Sequence, residues 1–214
     1  FTGHPAATSP TFLFAKTRVI SSQTLSGRIS RDLWYHLVTN LKLKFVINKS
    51  VYGQLRNNNK VFKLTEEIVE EESFSPKFVY SHLVIPHHPY YFDKNGNPAP
   101  LDKLKEFSGA NKKDYVEYLQ YANSKLLNLV DHIKKKSAQP PIIILMGDHG
   151  FRQFNDSVSK KYHFMNLSSF SIPNGDYTRF YDSSSSVNQI RTFLNTQFNQ
   201  QLPLLKDSTV FIQQ

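Results

Sequence analysis

The chain has 214 residues, of which 39% are hydrophobic and 14% aromatic, and a net charge of +9. That length and apolar content fit a single globular domain with a real core and exclude a disordered polypeptide. Cysteine is absent, which excludes disulfides and thiolate metal sites. The basic balance attracts phosphates, sulfates or an anionic membrane surface; with no Arg-rich stripe or nucleic-acid motif, nucleic acid is not an expected partner. No run has the length of a transmembrane helix and no signal peptide is visible. Because the chain starts at Phe1 without Met, a processed or partial chain is expected.

Residues 1–25 read as an irregular lead-in, and residues 26–75 as a helical and loop segment. From Ser26 to Leu43, the spacing of Ile29, Leu33, Leu37 and Leu41 predicts an amphipathic helix. Ser50 to Lys60 is polar and Asn-rich, and reads as a loop. Leu64 to Glu72 is Glu-rich and fits a short helix whose acidic run is a solvated face.

Residues 76–214 read as an α/β core. Phe78 to Ile85 is rich in β-forming residues and stops at Pro86, the pattern of a core strand. His87 and His88 follow, between Pro86 and Pro89, on a stiffened loop. They form either one side of a site or a surface pair packed on aromatics. Asp93 to Gly96 has turn chemistry. Asn111 to Lys136 is the clearest helix, with Tyr115, Leu119, Ala122, Leu126, Val130 and Ile133 on one face and Lys134 to Lys136 at its C-terminal end. Ile142 to Met146, bounded by Pro and Gly, reads as a buried parallel strand. Strand, loop, helix and strand in that order form a crossover unit, so the expected fold is a mostly parallel sheet flanked by helices.

Asp148 and His149 follow the second strand, fenced by Gly147 and Gly150. Chemistry in open α/β sheets collects at the carboxyl ends of strands. A carboxylate and an imidazole side by side suit a divalent metal; the plain alternative is an ordinary polar turn. With two parallel strands, His87, Asp148 and His149 would share one edge. His163, beyond the polar loop Gln153 to Lys161, either joins them or packs. Tyr162 to Pro173 is expected to contain another strand, Asn174-Gly175 a turn, and Ser183 to Ser186 the N-cap of a helix carrying Val187, Ile190, Phe193 and Leu194.

Gly147-Asp148-His149-Gly150 after an apolar strand resembles the sulfatase-like branch of the alkaline phosphatase superfamily. His82 to Gly96, Phe180 to Arg191 and Leu202 to Ser208 resemble its membrane-anchored, LTA-synthase-related bacterial members. The resemblance covers most of residues 78–212 and implies the C-terminal portion of an alkaline-phosphatase-like fold. It also implies Asp148 and His149 as ligands of a catalytic zinc or manganese ion. His87 matches a substrate-side histidine of the phosphoethanolamine-transferase relatives, with His88 in the position of a glycine. Arg152, His88 and His163 are then candidates for substrate contact.

The family's acidic ligand and its Ser or Thr nucleophile lie in an N-terminal half. No equivalent is found here: Thr2, Thr8, Ser9 and Thr11 follow no buried strand. The implied function is therefore the C-terminal part of a metal-dependent hydrolase or phospho-group transferase acting on sulfate or phosphate esters. The implied partners are that ester and a missing N-terminal half or companion chain. The parent would be anchored in the inner membrane through segments outside this chain, with its site in the periplasm or otherwise outside the cytoplasm. The alternative is a non-catalytic domain of the same origin that binds an anion, a glycan or a protein partner.

Overall fold

The structure, a computed structural model, describes Leu25 and residues 51–105, 111–152 and 158–210. Apart from Leu25, the lead-in and the Ser26–Leu43 helix expected from sequence lie outside the described residues. The described part falls into two compact units that divide between Ser137 and Ala138.

The first unit is helical: α1 (Gly53–Glu70), the short α2 (Leu101–Lys105) and α3 (Lys112–Lys136). The buried residues of α1 are Gln54, Asn57, Asn58, Val61, Phe62 and Thr65. Their spacing is that of a helical stripe, but half of it is made of amides. Asn is a poor helix former, so the stretch reads locally as a loop, and tertiary contacts override that preference. The expected loop at Ser50–Lys60 is therefore largely helix.

Phe78 to Ile85 forms no strand; it runs beside α1 instead. The Asn58 amide donates to the Val84 carbonyl at 2.8 Å and accepts from the Val84 N–H at 2.8 Å. Gln54 adds a donor to the same carbonyl at 3.0 Å. Further along, the Thr65 and Ser81 hydroxyls lie 2.6 Å apart. Seven helical residues from Asn58 to Thr65 span about 10.5 Å. Three residues from Ser81 to Val84 span about 10 Å when extended, so the segment lies antiparallel to the helix and nearly straight. The β-rich composition gave an extended chain, but its hydrogen bonds go to helix side chains rather than to a sheet.

The core of this unit is aromatic. Tyr90, Tyr91, Leu104 and Tyr118 are buried together, with Tyr52, Tyr115 and Tyr121 packed against them. The Tyr91 hydroxyl donates to the Val51 carbonyl at 2.7 Å, and burial pushes its pKa up to about 12. α3 begins as expected: the Asn111 side chain accepts from the Asp114 N–H, and Lys134 to Lys136 occupy its last turn. Glu70 at the end of α1 faces His132 at 3.3 Å and Lys136 at 3.5 Å on α3.

The second unit contains β1 (Ile143–Met146), a 3-10 turn (Lys160–Phe164), β2 (Ser168–Ser171) and α4 (Ser186–Gln197). β1 and β2 are antiparallel, with Ile143 opposite Ser171 and Met146 opposite Ser168. Among the described residues these two strands make the whole sheet. This overturns the expected mostly parallel sheet flanked by helices, and with it the alkaline-phosphatase-like frame. The physical reason is that the crossover unit lost its first strand to α1, while β1 found its partner further along the chain. α4 packs on the sheet through Phe193 and Phe170, whose rings are 5.9 Å apart. Its N-cap is Ser185, within the serine run where a cap was expected. Gly175 takes a positive φ of 65° in the Asn174-Gly175 turn.

The tail repeats the device of the first unit. Asn188 brackets Leu205, accepting from its N–H at 2.9 Å and donating to its carbonyl at 2.7 Å. Asn195 brackets Leu202 in the same way, at 2.8 and 2.9 Å. Asp207 closes the arrangement by accepting from the Tyr181 hydroxyl, the Ser185 N–H and the Asn188 amide. Those donors pull its carboxyl down to about 2.

Asn188 is fully buried. Asn188→Leu keeps the bulk but leaves the Leu205 N–H and carbonyl without partners, so a loss of about 2–3 kcal/mol is expected in urea denaturation, above that of an exposed substitution on α4. The folded pKa of Asp207 lies below its ordinary 3.8. Its contribution to tail docking is therefore complete above that value and fades as the pH falls towards about 2. NMR of the Tyr181 ring should show undocking in that window, and Asp207→Asn should abolish the transition.

Candidate functional site

β1 delivers the chain to Gly147, and the segment that returns to β2 holds the turn beyond it. The Gly147 N–H donates to the Leu167 carbonyl at 2.9 Å, and the Asn166 amide donates to the Gly147 carbonyl at 2.7 Å. At the other end, the Gly150 N–H donates to the His163 carbonyl at 2.9 Å. Gly150 is required by close approach: a Cβ there would sit 1.9 Å from the Tyr162 carbonyl oxygen and 2.9 Å from the Met165 backbone. Asp148 and His149 lie between these two anchored ends.

The Asp148 side chain is 90% exposed and that of His149 36%, with Nε2 of His149 3.8 Å from a carboxylate oxygen of Asp148. Nδ1 of His149 lies 2.6 Å from the Gly150 carbonyl. A carbonyl only accepts, so Nδ1 carries the proton and Nε2 holds the lone pair of the neutral ring. That is the tautomer a metal takes at Nε2. Two donors about 2.05 Å from a tetrahedral ion stand about 3.3 Å apart, so a shift of about half an ångström would let this pair share one. Among the described residues, no group of three or more His, Asp or Glu side chains is placed to hold a metal.

The other candidates divide between the units. Arg152 is exposed, and His163 is tied to the Asp148–His149 turn through its carbonyl. His87 and His88 belong to the first unit. His87 is exposed, and its Nδ1 lies 2.5 Å from the His88 carbonyl, which assigns the proton to Nδ1 as in His149. His88 is buried and its ring meets Tyr90 edge-on at 5.2 Å. Burial, then the neighbouring His87, hold its pKa below the ordinary histidine value. Its position is that of a packing residue. The expected Asp93 turn is present, with the carboxylate accepting from the N–H groups of Asn95 and Asn97.

Sequence reasoning missed Asn166, which fixes the Gly147 carbonyl and also reaches the Ser186 hydroxyl at 3.3 Å. It missed Asp207 as the hub of the tail. A lone Asn or Asp in a polar stretch carries no signal for either role. No protein-family model, curated protein or solved structure matches the chain. Among the described residues, no helix is long and apolar enough to cross a membrane.

Gly150→Ala should drive its methyl into the Tyr162 carbonyl, costing about 2–4 kcal/mol and displacing the 3-10 turn. Thermal unfolding reads the loss. An Ala variant as stable as the parent would show that the turn closes differently.

Proposed function

We propose that Asp148 and His149 are two ligands of a divalent metal site in a hydrolase or group transferase acting on phosphate or sulfate esters. Further ligands and the nucleophile would come from polypeptide beyond the described residues. The observation that carries this reading is the pair itself: two exposed donors 3.8 Å apart, on a turn anchored at both ends, with the imidazole proton directed to the Gly150 carbonyl.

When bound, a divalent ion neutralises an ester oxygen and makes a hydroxyl easier to ionise. The residues of this chain do the holding. The Gly147 and Gly150 hydrogen bonds limit how far the turn can open. The Gly150 carbonyl keeps Nε2 of His149 available to a ligand, and the exposed Asp148 carboxylate adds negative charge. The motif sequence Gly147 to Gly150 after an apolar strand supports the ester-cleaving class. A short antiparallel sheet is a different frame from that expected, so the reading rests on the turn and its chemistry rather than on the fold.

Two protein ligands fall short of the three usual in catalytic zinc sites, so weak binding of Mn²⁺ and Zn²⁺ is expected by calorimetry. Asp148→Ala and His149→Ala should each weaken it about tenfold or more. Aryl phosphate and sulfate esters should not turn over with this chain alone. Metal binding indifferent to both substitutions would remove the site, and robust metal-dependent turnover would show that the chain contains its own nucleophile.

A further inference from the structure

β1 has the composition of a central strand and, among the described residues, the position of an edge strand. The β1–β2 register continues past Met146, because the Gly147 N–H donates to the Leu167 carbonyl at 2.9 Å. In an antiparallel ladder the residues alternate between facing the partner and facing away. Counting back from Gly147, Leu145 and Ile143 direct their backbone groups at β2. Met146, Ile144 and Ile142 direct theirs to the other side, where no strand lies among the described residues.

Natural edge strands are blunted by lysine, proline within the strand, or a bulge. Ile142 to Met146 has none of these, and no charged residue stands between Pro140 and Gly147. Ile142 and Met146 are 41% and 36% exposed, and Met165 and Leu167 of the same unit are 63% and 50% exposed.

We propose that this edge is a self-association surface, on which a second copy of the chain pairs its β1 antiparallel about Ile144. A second copy fits because the run is self-complementary. Ile144 meets Ile144, Ile143 meets Leu145 and Ile142 meets Met146, so every cross-strand pair is apolar and no like charges meet despite the net charge of +9. The two-fold axis makes a closed, isologous dimer with a four-stranded sheet. It places Asp148 of one copy opposite Pro140 of the other. The two Asp148 residues then stand about 27 Å apart along the sheet, and both turns stay open.

The test is sedimentation equilibrium on the full chain, with amide hydrogen exchange read at Ile144. The parent should be dimeric, with the Ile144 N–H protected. Ile144→Pro removes that outward donor without touching the β1–β2 ladder, and Met146→Lys puts a cation opposite the apolar Ile142 of the other copy. Both should be monomeric with the parent's circular dichroism, and Met146→Lys should expose the Ile144 N–H to exchange. If Ile144→Pro fails to fold, Met146→Lys decides. A parent that stays monomeric at high concentration overturns the proposal. So does a dimer that survives both substitutions, or one whose Ile144 N–H exchanges freely.

Discussion

The structure depends on helix-borne amides that take the place of strands. An Asn side chain carries one donor face and one acceptor face, as a peptide group does. When it points from a helix at a passing main chain, it can satisfy the N–H and the carbonyl of a single residue. Asn58 does this for Val84, Asn188 for Leu205 and Asn195 for Leu202. Buried peptide groups must be paired, and here the pairing comes without a sheet. Helix and extended chain stay in step because seven residues of one match three of the other in length.

That constraint explains why each unit holds so much irregular chain and so little sheet. The segment beside α1 and the tail beside α4 are both held at two points along a helix. In the first unit this leads the chain into Tyr90 and Tyr91, whose rings build the core with Tyr118. In the second it brings Asp207 to the start of α4, where it meets Tyr181 and Ser185. The stretches Phe180–Arg191 and Leu202–Ser208, noted separately in the sequence, are held together by these bonds.

The candidate site obeys a different rule. Its turn is set mainly by backbone proximity, with one side-chain amide, that of Asn166, on the Gly147 carbonyl, and Gly150 is the residue the geometry cannot replace. The glycines that fence Asp148 and His149 were legible in the sequence, and so was the strand that leads to them. The hydrogen bonds that hold the turn come from His163, Asn166 and Leu167; the sequence marked His163 and a strand in this stretch, but not the carbonyl and amide contacts to the turn.

Local pattern alone determined the α3 helix, the β1 strand, a strand before Pro173, the Asn174-Gly175 turn and the serine cap of α4. Each is fixed by neighbours within a few residues, through hydrophobic period, turn chemistry or capping. Only the tertiary structure decided that Gly53–Glu70 is a helix and that Phe78–Ile85 is not a strand. The reason is one and the same. Half of the buried stripe of α1 is Gln and Asn, which look solvent-facing in a sequence and become core residues only when a main chain lies against them. Strand pairing was likewise settled at long range, where β1 took Ser168–Ser171 as its antiparallel partner and the parallel neighbour expected of it had already been bound by Asn58.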